Sequence, residues 1–465
     1  MSIHVKHTIF IFLTAVLSLA LAGCVPPEPN TALNTNANSA PANSNVAVNA
    51  NRTAADRPAG FSMPVTLPVL DAMFSDEAFA GELKAKLQLT DDQINQLKQI
   101  SSQAVGNLSE EEAENYSGST RAATERAGTE IKRIVGDEKA ERLFELVRQR
   151  WEGGAQTPNA DTAGKPNAVP TDTRVVVNAP AYRMDVFENG RLVKTYRIGI
   201  GYPEFPLPSG LRRAETLIFN PTWTPPHEPW VKGKVQPGKT VEAGSKLNPL
   251  GPVKIPIGLP SLIHGGKAPA RLGGFASHGC VGLTDSQIKD FSLELARVSG
   301  TDLSLENVNE FAKNKTETKN VKLAQAMPVE LRYETIVVEN GVLKIYRDVY
   351  ERGTNTEENL RRVLEIYGLS LDNINAADRE KILQGLREMD VDAQGNPVDE
   401  TAESANANAN ANANSKSNAG RKSDDDKNAS NGAVTKSIKG KKEVSFKLAE
   451  LAGKGYPVPA NAVNQ

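Results

Sequence analysis

One stretch, Ser277-His278-Gly279-Cys280-Val281-Gly282-Leu283, gathers side chains that could do covalent chemistry. Cys280 is one of two cysteines, and another histidine, His264, opens the triplet His264-Gly265-Gly266 sixteen positions earlier. A thiol and an imidazole brought together suit acyl transfer: the base takes the sulfur's proton and the thiolate attacks a carbonyl. Gly279 has a use beside a nucleophile, because without a Cβ it adopts unusual φ/ψ and lets a substrate carbonyl approach the backbone. Neighbouring N–H groups can then face the developing oxyanion. The plain alternative is a small buried cysteine and a satisfied core histidine. No histidine or cysteine spacing resembles a zinc site, and no Gly-rich phosphate loop lies in a strand–turn–helix context. No metal or cofactor is therefore expected, and His227, alone among prolines, reads as structural.

The surrounding pattern indicates how these groups are positioned. Ser261-Leu262-Ile263 reads as a short strand that delivers His264 to its end, and Lys267 to Ala276 as a polar loop returning to Cys280. Thr284-Asp285-Ser286-Gln287 is a capping box, followed by Ile288, Phe291, Leu295 and Val298 on one helical face, with Gly300 placed to end the helix. Cys280 thus precedes a helix N-terminus, whose dipole favours a thiolate. Upstream, Val175, Val177, Met184 and Val186 alternate as strands do, and Glu188-Asn189-Gly190-Arg191 signals a hairpin. Prolines between 203 and 229 exclude helix there. Tyr202 to Pro208 and Trp223 to Trp230 either line a cleft or pack as loops. Thr335–Val338, the Asn340-Gly341 turn and Leu343–Tyr346 predict a further hairpin completing the same domain.

The whole chain has 465 residues, 54 Lys and Arg against 56 Asp and Glu, and only 5% aromatics. The balance gives no nucleic-acid footprint, and the length allows two or three domains separated by tracts too polar to bury a core. Residues 1–24 read as a targeting segment: Lys6, then an apolar run from Ile9 to Ala22, too short for a span of about 20 residues. Residues 25–60, rich in Asn, Ala and Pro, predict a disordered tether of roughly 30–35 Å. Residues 61–151 predict a small α-helical module, with a Thr90-x-x-Gln93 capping box ahead of Ile94, Leu97 and Ile100. A second helix start is read at Ser109-x-x-Glu112, and an apolar stripe runs through Ala140, Leu143, Phe144, Val147 and Trp151. Residues 152–172 read as a linker and 173–352 as the mainly β domain bearing Cys280. Residues 353–396 follow as a short helical pair, Glu357–Tyr367 and Ala376–Met389. Residues 397–465 read as a disordered tail with an Asn-Ala repeat at 405–414 and a basic run at Lys436–Lys442.

His264-Gly265 followed by Ser277-His278-Gly279-Cys280 resembles the signature of the L,D-transpeptidase catalytic domain, the YkuD-type fold. Arg174–Val177, Tyr182–Gly190, Lys194–Gly201 and Asn220–Pro226 resemble that domain's other segments, over about residues 172–305 and on to about 352. The resemblance implies a β-sandwich with a helix after the nucleophile. It also implies that Cys280 is the nucleophile and His264 the general base, with the Gly265 carbonyl orienting the ring. His278 and the backbone at Gly279-Cys280 would shape the oxyanion site, with Ser277 and Arg271 in support. The family usually carries Arg two residues after the cysteine, where this chain has Gly282; Arg271 is the candidate substitute. The implied partner is the peptidoglycan stem peptide, cross-linked 3→3 or joined to a protein lysine, and the implied role is cell-wall biogenesis. The alternatives are a thiol-dependent wall peptidase or carboxypeptidase, and a non-catalytic envelope-binding lipoprotein with a degenerate site. Leu21-Ala22-Gly23-Cys24 resembles a bacterial lipoprotein signal, implying a lipidated Cys24, a membrane anchor and a site in the cell envelope. Cys280 would then be a thiol with no disulfide partner in its own chain. The Leu89-Thr90-Asp91-Asp92-Gln93 segment resembles the LTxxQ motif of Spy-like stress proteins, which points to an envelope protein partner for the helical module.

Overall fold

The computed structural model describes residues 62–106, 118–152, 165–225, 235–236, 238–258, 260–393, 395 and 438–460. The leader with Cys24, the 25–60 tether, the helix start at Ser109, His227, Trp230, the Asn-Ala repeat and Lys436 lie outside the described residues.

Five helices come first: α1 (Leu67–Phe74), α2 (Glu77–Leu87), α3 (Asp91–Gly106), α4 (Thr120–Val135) and α5 (Asp137–Trp151). Thr90 and Gln93 form the expected capping box at α3: each backbone N–H bonds the other's side-chain oxygen, at 3.2 and 3.1 Å. The α5 stripe Ala140, Leu143, Phe144, Val147 and Trp151 is buried in one core with Phe79, Leu83, Leu97 and Ile131. Helix α1 lies inside the expected 61–151 module, ahead of the capping box and apolar stripe read from sequence. Thr66 caps it, accepting the Val69 N–H, and Pro68 sits in its first turn, where a missing N–H costs no hydrogen bond.

The central sheet has eight strands: β1 (Arg174–Asn178), β2 (Arg183–Glu188), β3 (Arg191–Arg197), β5 (Gly210–Phe219), β6 (Val253–Pro256), β7 (Leu262–His264), β9 (Val281–Gly282) and β10 (Lys319–Arg332). Their spatial order is β3-β2-β1-β10-β5-β6-β7-β9, and β4 (Ile200–Gly201) pairs separately with β8 (Phe275–Ser277). Asn189 and Gly190 have φ of 51° and 79°, the mirror-image turn that tight hairpins use, so β2 and β3 join as expected. Helix α6 (Asp285–Val298) follows Cys280 behind a complete Thr284/Gln287 capping box, and its Ile288, Phe291 and Leu295 share a core with Ile255, Ile263 and Val281. Helix α7 (Leu305–Lys313) and the long strand β10 were not read from sequence. β10 is central nonetheless, parallel to β1 on one side and antiparallel to β5 on the other.

Three boundaries differ from the expectation. The predicted hairpin, β11 (Ile336–Glu339) and β12 (Val342–Tyr346), does not complete the sheet that carries Cys280. It pairs instead with β13 (Glu443–Lys447) in a three-stranded sheet covered by α8 (Glu357–Ile366) and α9 (Ala376–Met389). Ile336, Leu343, Leu360, Leu364, Ile382 and Leu386 give this C-terminal module a core of its own. The expected structureless tail is therefore interrupted: residues 438–460 fold, because Val444 and Phe446 turn toward that core while Glu443, Ser445 and Lys447 stay exposed. The last part of the 152–172 linker is likewise packed. Buried Asn167 donates its side-chain amide to the Ile336 carbonyl at 3.0 Å and accepts the Val338 N–H at 2.6 Å.

Candidate active site

Strands β7 and β9 run parallel, with Ile263 opposite Val281 and His264 opposite Gly282. Side chains alternate along a strand, so positions 264 and 282 share one face of the pair, and Cys280 immediately precedes β9. Thiol and imidazole thus stem from positions one strand and two residues apart, about 4.8 Å by about 6.6 Å. Each is held by backbone. The Leu262 backbone hydrogen-bonds the Cys280 sulfur. His264 Nδ1 lies 2.7 Å from the Gly265 carbonyl, the contact the resemblance implied, and the Leu250 carbonyl is a second partner of the ring.

Both groups are uncharged at neutral pH, for the same reason. Burial pushes the His264 pKa from 6.5 down to about 3, with Lys267 adding to the effect and the two carbonyls opposing it. Burial raises the Cys280 pKa above its ordinary value, against the pull of the Leu262 N–H and the Lys267 charge. Three residues, Val281 to Leu283, separate Cys280 from the α6 cap at Thr284, and the first residue of α6, Asp285, accepts the Gly266 N–H at 2.8 Å. Cys280 as a residue is half-buried.

The turn before Cys280 is braced from within and from behind. Ser277 Oγ accepts the Cys280 N–H at 3.0 Å and donates to the Cys280 carbonyl, closing the turn on itself. Gly279 has φ 88°, a conformation that L side chains adopt only with strain. Tyr202 N–H bonds the Ser277 carbonyl at 2.9 Å. The His278 ring is held edge-on between Tyr202 and Phe205, with centroids 5.0 and 4.9 Å away. Tyr202–Pro208 is buried throughout, so it serves as a packed wall and not as an open cleft. The helical module grips that wall: Thr66 Oγ1 donates to the Glu204 carbonyl at 2.6 Å and Thr120 Oγ1 to the Pro203 carbonyl at 2.8 Å. Tyr350 holds its other end, donating to the Gly201 carbonyl at 2.9 Å.

Arg271 does not take the place of a side chain at 282. It lies on a short 3-10 turn, Pro269–Arg271, and its guanidinium donates to the Tyr202 hydroxyl at 3.4 Å. Lys267, which the sequence reading passed over as loop, lies across Gly282: a Cβ there would be 2.8 Å from the lysine Cγ and 3.1 Å from its Cε. Among the described residues no group of three or more His, Cys, Asp or Glu could hold a metal ion.

Residues 172–298 match the family model of YkuD, the L,D-transpeptidase catalytic domain. No curated protein matches the chain. Solved structures similar to it include the catalytic domain of the E. faecium L,D-transpeptidase, at 16% identity and TM-score 0.23, covering 36% of this chain and 100% of that one. A crystal structure of a mutant Enterococcus faecium L,D-transpeptidase is 17% identical with TM-score 0.22, over 35% of this chain and 50% of that one. An L,D-transpeptidase from Mycobacterium smegmatis is 15% identical with TM-score 0.21, over 35% of this chain and 58% of that one. The chain spans about half the length of the longer of these relatives.

Proposed function

We propose, from the premise that residues 172–298 carry an L,D-transpeptidase catalytic domain, that the protein cross-links peptidoglycan stem peptides through a thioester on Cys280. The sulfur attacks the carbonyl of the third residue of a stem tetrapeptide. The C–N bond to the terminal D-alanine breaks, and the D-alanine leaves as an amine carrying the proton from the thiol. An acceptor amine then attacks the thioester, forming the new amide and returning the thiol. His264 is the base and acid for these transfers; its depressed pKa makes it a poor proton store, so its role is to relay. The Gly279 backbone N–H serves the oxyanion, while the Cys280 N–H is engaged by Ser277 Oγ, and Ser277 and His278 keep that turn in place.

One observation carries this reading: inside the matched span His264 ends β7 opposite Gly282 of β9, two residues past Cys280, and the Leu262 backbone of the same β7 bonds the Cys280 sulfur. Incubation with purified disaccharide-tetrapeptide tests it. A dimer with one D-alanine released supports the proposal, D-alanine release alone indicates a carboxypeptidase, and no reaction refutes it. A carbapenem should add its mass to the peptide containing Cys280. The protonated resting thiol favours a second reading, a wall-binding protein without turnover; this protein would bind the tetrapeptide and leave it intact.

For the segments outside the described residues we propose a lipidated Cys24 followed by a tether, which would hold the domain in the bacterial cell envelope facing the wall. Triacyl attachment exceeds the two hydrophobic signals that stable anchoring needs. Uptake of labelled lipid by the native protein and not by Cys24→Ser, with that variant lost from the membrane fraction, is the check. The helical module is proposed to take an envelope protein partner.

A further inference from the structure

A side chain at position 282 would stand beside both reactive groups, two residues along the strand from Cys280 and directly opposite His264. Gly282 leaves that place open, but another residue fills it. The stem of Lys267 passes over the glycine, with Cγ, Cε and Cδ at 2.8, 3.1 and 3.4 Å from where a Cβ would be. Its backbone is fixed to the same structure: Lys267 N–H bonds the Leu283 carbonyl at 3.1 Å, and Leu283 N–H bonds the His264 carbonyl at 2.9 Å. The turn from His264 to Lys267 and the end of β9 are therefore one hydrogen-bonded unit, and the half-buried lysine lies across it.

We propose that Lys267 is the electrostatic positioning residue of the thiol site, reaching from the loop into the place of a side chain at 282 to hold negative charge on Cys280 and on the carbonyl oxygen it attacks. The charge acts unequally on the two reactive groups. It favours the thiolate and opposes the imidazolium. It therefore opposes a proton resting on His264 and favours a thiolate whose proton His264 has already relayed onward. The missing side chain at Gly282 and the loop lysine are then two halves of one arrangement. A larger residue at 282 would displace the lysine stem, and removing the lysine would leave the thiol with burial unopposed except by the Leu262 N–H.

This inference rests on the proposed thiol chemistry, but its test needs no wall substrate. The probe is iodoacetamide, an uncharged alkylating agent, applied to the full-length protein at pH 7, with modification of the Cys280 peptide followed by mass spectrometry. Raising a thiol pKa by one unit cuts the thiolate tenfold and raises its nucleophilicity roughly threefold, so the rate falls about threefold per unit. Lys267→Met should slow alkylation at least that much, and Lys267→Arg should keep the native rate. Lys267→Ala combined with Gly282→Lys should restore it from the other side of the same space, with melting temperatures showing that every variant is folded. A native rate in Lys267→Met, or a loss that neither charged variant rescues, overturns the proposal. If alkylation follows the charge while no variant turns over tetrapeptide, the lysine's role stands and the transpeptidase reading falls. If tetrapeptide is turned over equally in all of them, the reverse holds.

Discussion

Two groups of buried ionisable residues lie on the central sheet, and they are in opposite states. At the β7–β9 end, His264 and Cys280 are both neutral, each held by backbone groups. Where β1, β2 and β10 meet the C-terminal module, the groups are paired ions. Arg183 reaches Asp185 at 2.7 Å and Glu339 at 2.7 Å, and Arg174 reaches Glu330 at 2.8 Å. Thr195 and Tyr456 hydroxyls add donors to Asp185 at 2.6 and 3.2 Å. Burial works against the Arg183 charge, yet Asp185 and Glu339 hold its pKa above the usual value. A shifted pKa therefore does not mark a reactive site by itself. The paired cluster is saturated and fastens one module to another, since Glu339 lies on β11 while Arg183 lies on β2. The neutral pair keeps its capacity to take and give charge.

The contrast can be broken from either end. Cys280→Ala should abolish tetrapeptide turnover, by at least about a thousandfold, and leave the melting temperature where it was. Both are measured on one preparation. Arg183→Met should do the opposite. Stranding Asp185 and Glu339 without their cation should cost about 3–5 kcal/mol of stability, read by denaturant unfolding, while the folded fraction alkylates normally at Cys280. An Arg183→Met protein that is stable but unreactive would erase the distinction. A pH series sharpens it. The folded state keeps His264 neutral down to about 3, whereas the unfolded chain takes up a proton below 6.5. Stability present above pH 6.5 should thus fall by about 1.4 kcal/mol per unit as pH drops toward 3, and His264→Gln should flatten that slope. Glu330, opposed by burial but held low by Arg332 and Arg174, contributes its own loss only below its ordinary 4.5. The interval between 6.5 and 4.5 therefore belongs to the histidine when the two are compared. Smallest is Thr66→Val, which removes the α1 cap and the bond to the Glu204 carbonyl. It should cost about 1 kcal/mol, visible as an earlier unfolding midpoint.

The local grammar of the site was readable from residue order. A strand ends at His264, a loop returns to Cys280 and a capped helix follows, because the capping box and the period of Ile288, Phe291 and Leu295 are local signals. Lys267 was not readable: its stem meets Gly282 only because β7 and β9 lie side by side, and nothing near 267 announces that. β10 was missed although Val321, Leu323, Met327, Val329 and Leu331 keep one parity, because exposed Gln325 and its exposed neighbours interrupt the run where the register shifts between Lys322 and Met327. The strand at 443–447 was hidden by its lysines, although Val444 and Phe446 already alternate with polar residues. The hairpin at 336–346 was found but placed in the wrong sheet, since a turn such as Asn340-Gly341, with φ of 44° and 81°, sets its own geometry and says nothing of its distant neighbours.

The placement of β10 bears on how the molecule comes to exist at all. Val175 waits for Val329, and Leu211 for Glu330, so neither half of the sheet gains its middle strand until nearly three quarters of the polypeptide has been made. Until then two open strand edges stand ready to join with one another wrongly or with a neighbouring chain. A version stopped at residue 298, where the family match ends, would possess both reactive side chains and no strand to link the halves that bear them.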